Sequence, residues 1–110
     1  MTVLLVDDDA DALALLQMLL ARHGVECVLA ESVAEARAVL TKDSTVDVVV
    51  ADLELGDGDG LELHPEAAPR VKAFIVLTGR DAVSAPPGVR VLSKPLDFKQ
   101  LLTAIKAAAG

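Results

Sequence analysis

Short apolar runs alternate along the chain with longer amphipathic stretches, and the two patterns predict different elements. Residues 3–6, 25–30, 46–51, 73–77 and 89–92 are mostly apolar runs rich in valine and leucine. Such runs are typical of strands covered on both faces, as in a parallel sheet. Residues 11–23 instead place Leu13, Leu16 and Leu20 on one helical stripe, and Gly24 predicts where that helix ends.

Two further helices are indicated by capping residues that precede amphipathic stretches. Ser32 and Glu35 form a capping-box pattern before a stripe of Val33, Ala36 and Leu40. Asp97 caps the last helix, whose inner positions are Phe98, Leu101, Leu102 and Ile105. Strands that alternate with helices predict an α/β fold, with a doubly wound parallel sheet of five strands.

Prolines restrict the two remaining connections. Pro65 and Pro69 leave little room for a third helix between the third and fourth strands. The next connection, residues 79–88, is short and contains Pro86 and Pro87. We therefore expect shortened third and fourth helices.

Polar residues follow four of the five predicted strands at their carboxyl ends. Asp7 and Asp8 follow the first strand, Asp52 the third, Thr78 the fourth and Lys94 the fifth. Open parallel sheets build their sites at this edge. The second strand has no such residue, as expected for the flavodoxin-like order 2-1-3-4-5, in which that strand lies at one side.

These residue types suit phosphoryl transfer around a divalent ion. Three neighbouring carboxylates repel one another unless a cation lies between them, and Mg²⁺ prefers such oxygen ligands. An aspartate carboxylate can be the nucleophile that forms an acyl phosphate. An ammonium group and a hydroxyl then neutralise and orient the transferred group. Each residue alone has an ordinary explanation as a cap, turn or surface charge, but that does not explain their shared edge.

Four motifs resemble those of response-regulator receiver domains of two-component systems. They are VLLVDD at 3–8, VADLELGDGDGL at 50–61, VLTG at 76–79 and SKP at 93–95. The resemblance implies one receiver domain over residues 1–110, phosphorylated on Asp52 by a histidine kinase or a phosphotransfer protein. It also implies a conformational change that is detected by an output partner or a fused output domain.

The resemblance further implies roles for individual residues. Asp8 would bind Mg²⁺ directly, Asp7 would act through water, and the backbone carbonyl of Glu54 would be a further ligand beside Asp52. Thr78 would be the switch hydroxyl and Lys94 the cation that contacts the phosphoryl group. The bond before Pro95 is expected to be cis.

The remaining positions are expected to modulate the site: Glu54, Gly79, Arg80, Val91 and Pro95. Glu54 and Arg80 would flank the pocket mouth and could form an ion pair that hinders an attacking water. The alternative, two solvated side chains, is equally well supported, because exposed pairs contribute little. Val91 stands where receivers usually carry an aromatic residue that swings inward, so the usual relay to the output surface is in doubt.

Composition excludes several classes of function. The net charge of −7 argues against direct binding of nucleic acid. No apolar run is long enough to span a bilayer, so we expect no membrane partner and a cytoplasmic location. Cys27 is the only cysteine, which excludes an internal disulfide.

Two alternative functions remain open. A phosphatase of the haloacid-dehalogenase type also combines Asp, Thr and Lys with Mg²⁺, but it expects its nucleophile after the first strand. A pseudo-receiver would keep the fold and act as a docking module without phosphorylation, which Val91 and the shortened helices favour slightly. On the main hypothesis the chain is not an enzyme beyond catalysing its own phosphorylation and dephosphorylation.

Overall fold

The computed structural model describes residues 1–42, 45–80 and 83–109. Four α-helices are described: α1 (Ala10–Ala21), α2 (Val33–Lys42), α3 (His64–Ala67) and α4 (Phe98–Ala109). The strands are β1 (Thr2–Val6), β2 (Glu26–Ala30), β3 (Val48–Asp52), β4 (Glu54–Leu55), β5 (Gly58–Asp59), β6 (Ala73–Thr78) and β7 (Val89–Ser93). A 3₁₀-helix covers Gly60–Leu63.

The five longer strands form one sheet in the order β2-β1-β3-β6-β7. Every neighbouring pair is parallel. Counted without the short pair β4 and β5, this is the predicted order 2-1-3-4-5, so the predicted fold class is confirmed. β4 and β5 pair antiparallel in a separate two-stranded sheet that follows β3.

The sheet is covered on both faces because side chains alternate along each strand. In β1, Val3 and Leu5 pack in the cluster that contains Leu13 of α1 and Leu101 of α4. Leu4 and Val6 face the opposite way, in the cluster that contains Leu40 of α2. All four of these β1 residues are almost fully buried. The doubly wound arrangement predicted from the continuous apolar runs is therefore present.

The first helix, Ala10–Ala21, begins one residue earlier and ends two residues earlier than the predicted stretch 11–23. Asp9 is the N-cap of α1, and its carboxylate accepts hydrogen bonds from the amides of Asp11 and Ala12. Gly24 adopts φ +76, a left-handed conformation that glycine reaches without steric cost. This turn leads directly into β2.

The two helices that were predicted to be short, between β5 and β6 and between β6 and β7, are reduced further than the sequence indicates. α3 has four residues, and Pro65 lies in its first turn, where a missing amide proton costs no helical hydrogen bond. His64 directly precedes Pro65 and is expected in a loop from the sequence, but it begins α3 instead. The glycine-rich residues 56–60 are expected to form a loop from the sequence, but Gly58–Asp59 of this stretch form β5. Between β6 and β7, residues 79–80 and 83–88 contain no helix; Asp81 and Ala82 lie outside the described residues.

The predicted capping box of α2 is half right. The Ser32 hydroxyl accepts from the Glu35 amide at 3.0 Å, but the Glu35 carboxylate accepts from the amide of Glu31 rather than from Ser32. A distant residue completes the cap, because the Asp57 carboxylate accepts from the amides of Val33 and Ala34 at 2.9 and 3.1 Å. These two hydrogen bonds are the main reason that the pKa of Asp57 is lowered.

We expect Asp57→Asn to reduce the free energy of unfolding at neutral pH, because it removes the negative charge at the start of α2. The lowered pKa means that this contribution is present above the unfolded-state pKa and is lost as pH falls through the folded-state pKa. Urea unfolding from neutral pH to about pH 3 should therefore show the variant and the wild type converging in acid. Glu26→Gln, an exposed position in β2, is the matched control and should show no such convergence. A constant difference at all pH values would contradict the prediction.

Among residues 1–42, 45–80 and 83–109, no helix combines the length and apolar character needed to cross a membrane.

Candidate functional site

Four strands deliver the predicted site residues to one edge of the sheet. Asp7 and Asp8 directly follow β1, Asp52 is the last residue of β3, Thr78 ends β6, and Lys94 directly follows β7. Hydrogen bonds extend the sheet here, since the Lys94 amide donates to the carbonyl of Thr78 at 2.8 Å. The sheet therefore holds these side chains on adjacent strands at the same height.

Three carboxylates meet at the centre of this edge. Asp7, Asp8 and Asp52 each offer a carboxylate oxygen, and these oxygens lie within 4.8 Å of one another. Asp52 is only 4% exposed, Asp7 is half-buried and Asp8 is exposed. The structure thus brings together the three acids that the sequence placed at the ends of different strands.

The donor set fits a hard divalent cation. Three carboxylates carry a formal charge of −3 when ionised, and the Lys94 ammonium offsets only one of these charges. Oxygen ligands in a partly open cluster are what Mg²⁺ prefers, since it usually retains several waters. Asp7, Asp8 and Asp52 could therefore hold such an ion. A further ligand from the backbone carbonyl of Glu54 stays a prediction.

Lys94 is bound directly to the most buried of the three acids. Its ammonium donates to Oδ2 of Asp52 at 2.8 Å. Burial lowers the pKa of Lys94, but the hydrogen bond to Asp52 and the charges of Asp52, Asp7 and Glu54 together outweigh burial, so the pKa is raised. Lys94 is therefore cationic at neutral pH. The Lys94–Pro95 bond is cis, as expected.

Asp7 is the acid whose ionised form is disfavoured. Burial is the main cause of its raised pKa, and the neighbouring charges of Asp52 and Asp8 act in the same direction. A hydrogen bond from the Asp9 amide at 2.9 Å opposes these effects without cancelling them. The site thus keeps a carboxylate in an unfavourable setting that a cation would relieve.

Asp7→Asn is expected to stabilise the metal-free protein at neutral pH, with a rise in Tm of roughly 2–4 °C. A raised folded-state pKa means that stability is lost as pH rises through that pKa, and the neutral amide avoids this loss. Mg²⁺ should raise the Tm of the wild type more than that of the variant, because binding to the folded state stabilises it. Thermal melts with and without Mg²⁺ measure both effects. A lower Tm for the metal-free variant would contradict the prediction.

Thr78 and its neighbours form a second group beside the acids. The Thr78 side chain is fully buried, and its hydroxyl donates to Oε1 of Glu54 at 3.1 Å. Arg80 Nε lies 3.1 Å from the same oxygen, so the predicted ion pair between Glu54 and Arg80 is present. Its effect on an attacking water stays a prediction. The bond from Thr78 to Glu54 was not foreseen, because 24 residues separate the two in sequence.

The structure requires a glycine at position 60, which the sequence motifs did not single out. A Cβ placed there would overlap the carbonyl oxygen of Asp52 and lie 3.1 Å from its carbonyl carbon. The Gly60 amide donates to the carbonyl of Leu53, which holds the turn against the end of β3. Gly79 differs, since a Cβ there meets nothing within 4 Å. Its modulating role stays a prediction.

Two acids of the 50–61 motif are structural. Asp57 caps α2, as described above. Asp59 accepts from the Leu61 amide at 2.8 Å, while the Glu62 carboxylate accepts from the Asp59 amide, which makes a reciprocal cap on the 3₁₀-helix. Their short-range pattern in the sequence could not separate them from the clustered acids Asp7, Asp8 and Asp52.

The site opens into a cleft and lies beside an exposed strand. The cleft has a volume of about 510 Å³ and runs from the three acids along Leu15, Leu16 and Leu19 of α1. It is large enough for a hydrated ion and a phosphoryl group. Val91 of β7 is 37% exposed, in line with the absence of a described helix over this part of the sheet.

Comparison with known proteins agrees with this geometry. The chain matches the family model of the response regulator receiver domain over residues 3–106. It is 40% identical over 114 residues to the transcriptional regulatory protein GlrR of Escherichia coli (strain K12), covering 96% of this chain and 26% of that protein. It is 33% identical over 115 residues to the photosynthetic apparatus regulatory protein RegA of Rhodobacter capsulatus, covering 96% and 61%.

A solved structure shows the same fold over most of the chain. The response regulator receiver protein from Sinorhizobium medicae WSM419 superposes with a TM-score of 0.88 at 27% identity, covering 97% of this chain and 92% of that one. The chain spans about a quarter of the length of GlrR and about three fifths of that of RegA. From the family match, the parallel sheet and the acids at its carboxyl edge, we conclude that the chain belongs to the response regulator receiver domain family of two-component signalling.

Proposed function

We propose that this receiver domain, residues 1–110, accepts a phosphoryl group on Asp52 in a reaction that requires Mg²⁺. The observation that carries the proposal is the cluster of Asp7, Asp8 and Asp52, with Lys94 donating to Asp52 at 2.8 Å. A nucleophile, a place for a divalent ion and a cation for the transferred group lie within one pocket. Phosphoryl transfer depends mainly on such positioning and charge neutralisation.

Asp7, Asp8 and Asp52, with the backbone carbonyl of Glu54, would hold the metal. When bound, Mg²⁺ supplies positive charge that offsets the carboxylates and the incoming phosphoryl oxygens. Asp8 is the exposed member of the three and would bind the ion directly. Asp7 would contribute through water, as the resemblance to receivers implies.

In the transfer step, a carboxylate oxygen of Asp52 forms a bond to phosphorus while the bond from phosphorus to the donor breaks. The donor group leaves with the bonding electron pair, and Asp52 becomes a mixed anhydride. Lys94 is already bound to Asp52, so its ammonium lies beside the phosphoryl oxygens as they arrive. The Thr78 hydroxyl donates to another of these oxygens.

The donor on this proposal is the phosphorylated histidine of a histidine kinase or a phosphotransfer protein in the cytoplasm. Phosphorylation shifts the domain between two conformations, and an output partner or a fused output domain detects the change. The domain itself carries a net charge of −7, so any binding of nucleic acid belongs to that output component. Catalysis is limited to its own phosphorylation and dephosphorylation.

A docking module that works without phosphorylation is the second candidate. It is favoured by Val91, which lacks the aromatic ring of the usual relay and is exposed on β7. The complete set of site residues disfavours it. The phosphatase alternative is weaker still, because Asp52 ends the third long strand rather than the first.

Incubation with acetyl phosphate and Mg²⁺, followed by intact-mass measurement, tests the proposal. We expect a gain of one phosphoryl group that EDTA prevents and that hydroxylamine, which cleaves acyl phosphates, removes. A folded protein that gains no mass would reject the proposal in favour of the docking module. A gain that resists hydroxylamine would also reject it, since the phosphoryl group would not be on a carboxylate.

A further inference from the structure

Glu54 gathers two groups that a phosphoryl anion would also attract. Its Oε1 accepts from the Thr78 hydroxyl at 3.1 Å and lies 3.1 Å from Nε of Arg80. The Arg80 amide in turn donates to the Thr78 hydroxyl oxygen at 3.0 Å. The three residues therefore form one connected network, centred on a carboxylate that is not among the three clustered acids.

The backbone ties Glu54 closely to the phosphoacceptor. The Glu54 amide lies 3.3 Å from Oδ1 of Asp52 and donates to it, and Glu54 pairs with Asp59 in the β4–β5 hairpin. Its carboxylate reaches back over the end of β6 to Thr78. The side chain is 42% exposed, so it can move outward into solvent without disturbing the core.

Thr78 has one hydroxyl proton and is fully buried. It can donate to Glu54 or to a phosphoryl oxygen on Asp52, but not fully to both. We propose that the Glu54 carboxylate is an internal anion that holds the Thr78 hydroxyl in the unphosphorylated protein and must release it when a phosphoryl group arrives. This inference rests on the proposed function, and it makes Glu54 a positioning residue that opposes the phosphorylated conformation.

Removing the Glu54 carboxylate should therefore favour the phosphorylated conformation. Without its acceptor, the buried Thr78 hydroxyl lacks a strong partner in the unphosphorylated protein, which raises the free energy of that state. In the phosphorylated state Thr78 has already left Glu54, so little is lost there. Arg80 assists Glu54 by holding its carboxylate in place.

Binding of beryllium fluoride, a phosphoryl mimic, in the presence of Mg²⁺ measures this balance by calorimetry. We expect Glu54→Ala to bind the mimic roughly fivefold more tightly than the wild type, the equivalent of one modest hydrogen bond. Glu54→Gln keeps an acceptor oxygen and should tighten binding less. Because Glu54→Ala also changes the charge near the metal, the Mg²⁺ affinity of each variant is measured without fluoride as a control.

We call the hydrogen bond from the Thr78 hydroxyl to the Glu54 carboxylate the latch. A double-mutant cycle with Thr78→Ala separates the effect of this latch from simple charge repulsion between Glu54 and the mimic. If the latch exists, Glu54→Ala should tighten binding of the mimic much less in the Thr78→Ala background. In the Thr78→Ser background, which keeps the hydroxyl, Glu54→Ala should tighten binding as it does in the wild type. Equal tightening with and without the hydroxyl would overturn the inference, as would unchanged or weaker binding by Glu54→Ala. Thr78→Val replaces the alanine variant if that does not fold.

The proposed function fails in a different way in the same experiment. A wild-type protein that binds no beryllium fluoride with Mg²⁺ would overturn the proposed function and remove the basis of the latch. Binding that depends on Asp52, combined with an additive cycle, would overturn the latch alone.

Discussion

Asp52→Asn is expected to lose all of the Mg²⁺-dependent mass gain from acetyl phosphate. An amide oxygen is far less nucleophilic than a carboxylate and forms no stable acyl phosphate. The change is close to isosteric, so an acceptor remains for the Lys94 ammonium and for the Glu54 amide, which now bind a carboxylate at 2.8 and 3.3 Å. Intact-mass measurement over the time in which the wild type is fully modified gives the result.

Asp11→Asn is the matched control, because it removes the same charge from the acidic run beside the site. Asp11 is exposed in the first turn of α1 and lies outside the group of three clustered acids. We expect this variant to gain mass like the wild type. If Asp52→Asn still gained a phosphoryl group that hydroxylamine removes, the acceptor would be a different carboxylate of the pocket.

Gly60→Ala is expected to lower the free energy of unfolding by about 2–3 kcal/mol and to slow phosphorylation strongly. An added methyl group would overlap the Asp52 carbonyl oxygen, and backbone cannot yield as the end of a flexible side chain can. Relief of this clash must shift either the 3₁₀-helix or the end of β3. The second shift displaces the nucleophile from Lys94 and the acid cluster. Urea unfolding and the rate of mass gain report the two effects.

Gly56→Ala is the control for Gly60→Ala, since both glycines lie in the same connection. A Cβ at Gly56 would lie 3.8 Å from Oδ2 of Asp8, an ordinary contact distance. We expect this variant to lose less than about 1 kcal/mol and to be phosphorylated at a similar rate. Equal stability for the two variants would mean that the backbone around Gly60 adapts, and the prediction would be wrong.

Much of the site could be predicted because parallel topology converts strand ends into neighbours. Asp7 and Asp52 are far apart in sequence, yet each lies where an apolar run stops. β1 and β3 are adjacent and parallel, so both acids reach the same edge. The Glu54–Arg80 ion pair was suggested by the resemblance to receivers, in which these positions flank the pocket mouth, and two solvated side chains were an equal alternative; the structure contains the pair.

Other parts of the site could not be predicted because local composition does not specify where a side chain points in the folded protein. Asp57 and Asp59 share the glycine-rich turn with Glu54, but they cap helices instead of facing the site. Thr78 was expected to serve a phosphoryl group, and in the structure its hydroxyl contacts Glu54. Each outcome depends on which partner the folded chain brings within hydrogen-bond distance.

By itself, the sequence determined the parallel sheet, its order and the carboxyl edge that collects Asp7, Asp8, Asp52, Thr78 and Lys94. It could do so because hydrophobic periodicity and strand ends are local features, which are visible in the sequence without information on distant contacts. Only the tertiary structure decided that Asp57 caps α2, that Gly60 packs on Asp52 and that Glu54 holds Thr78. These contacts depend on how closely separate segments of the chain approach one another. Side-chain direction and backbone packing set that approach only in the folded protein.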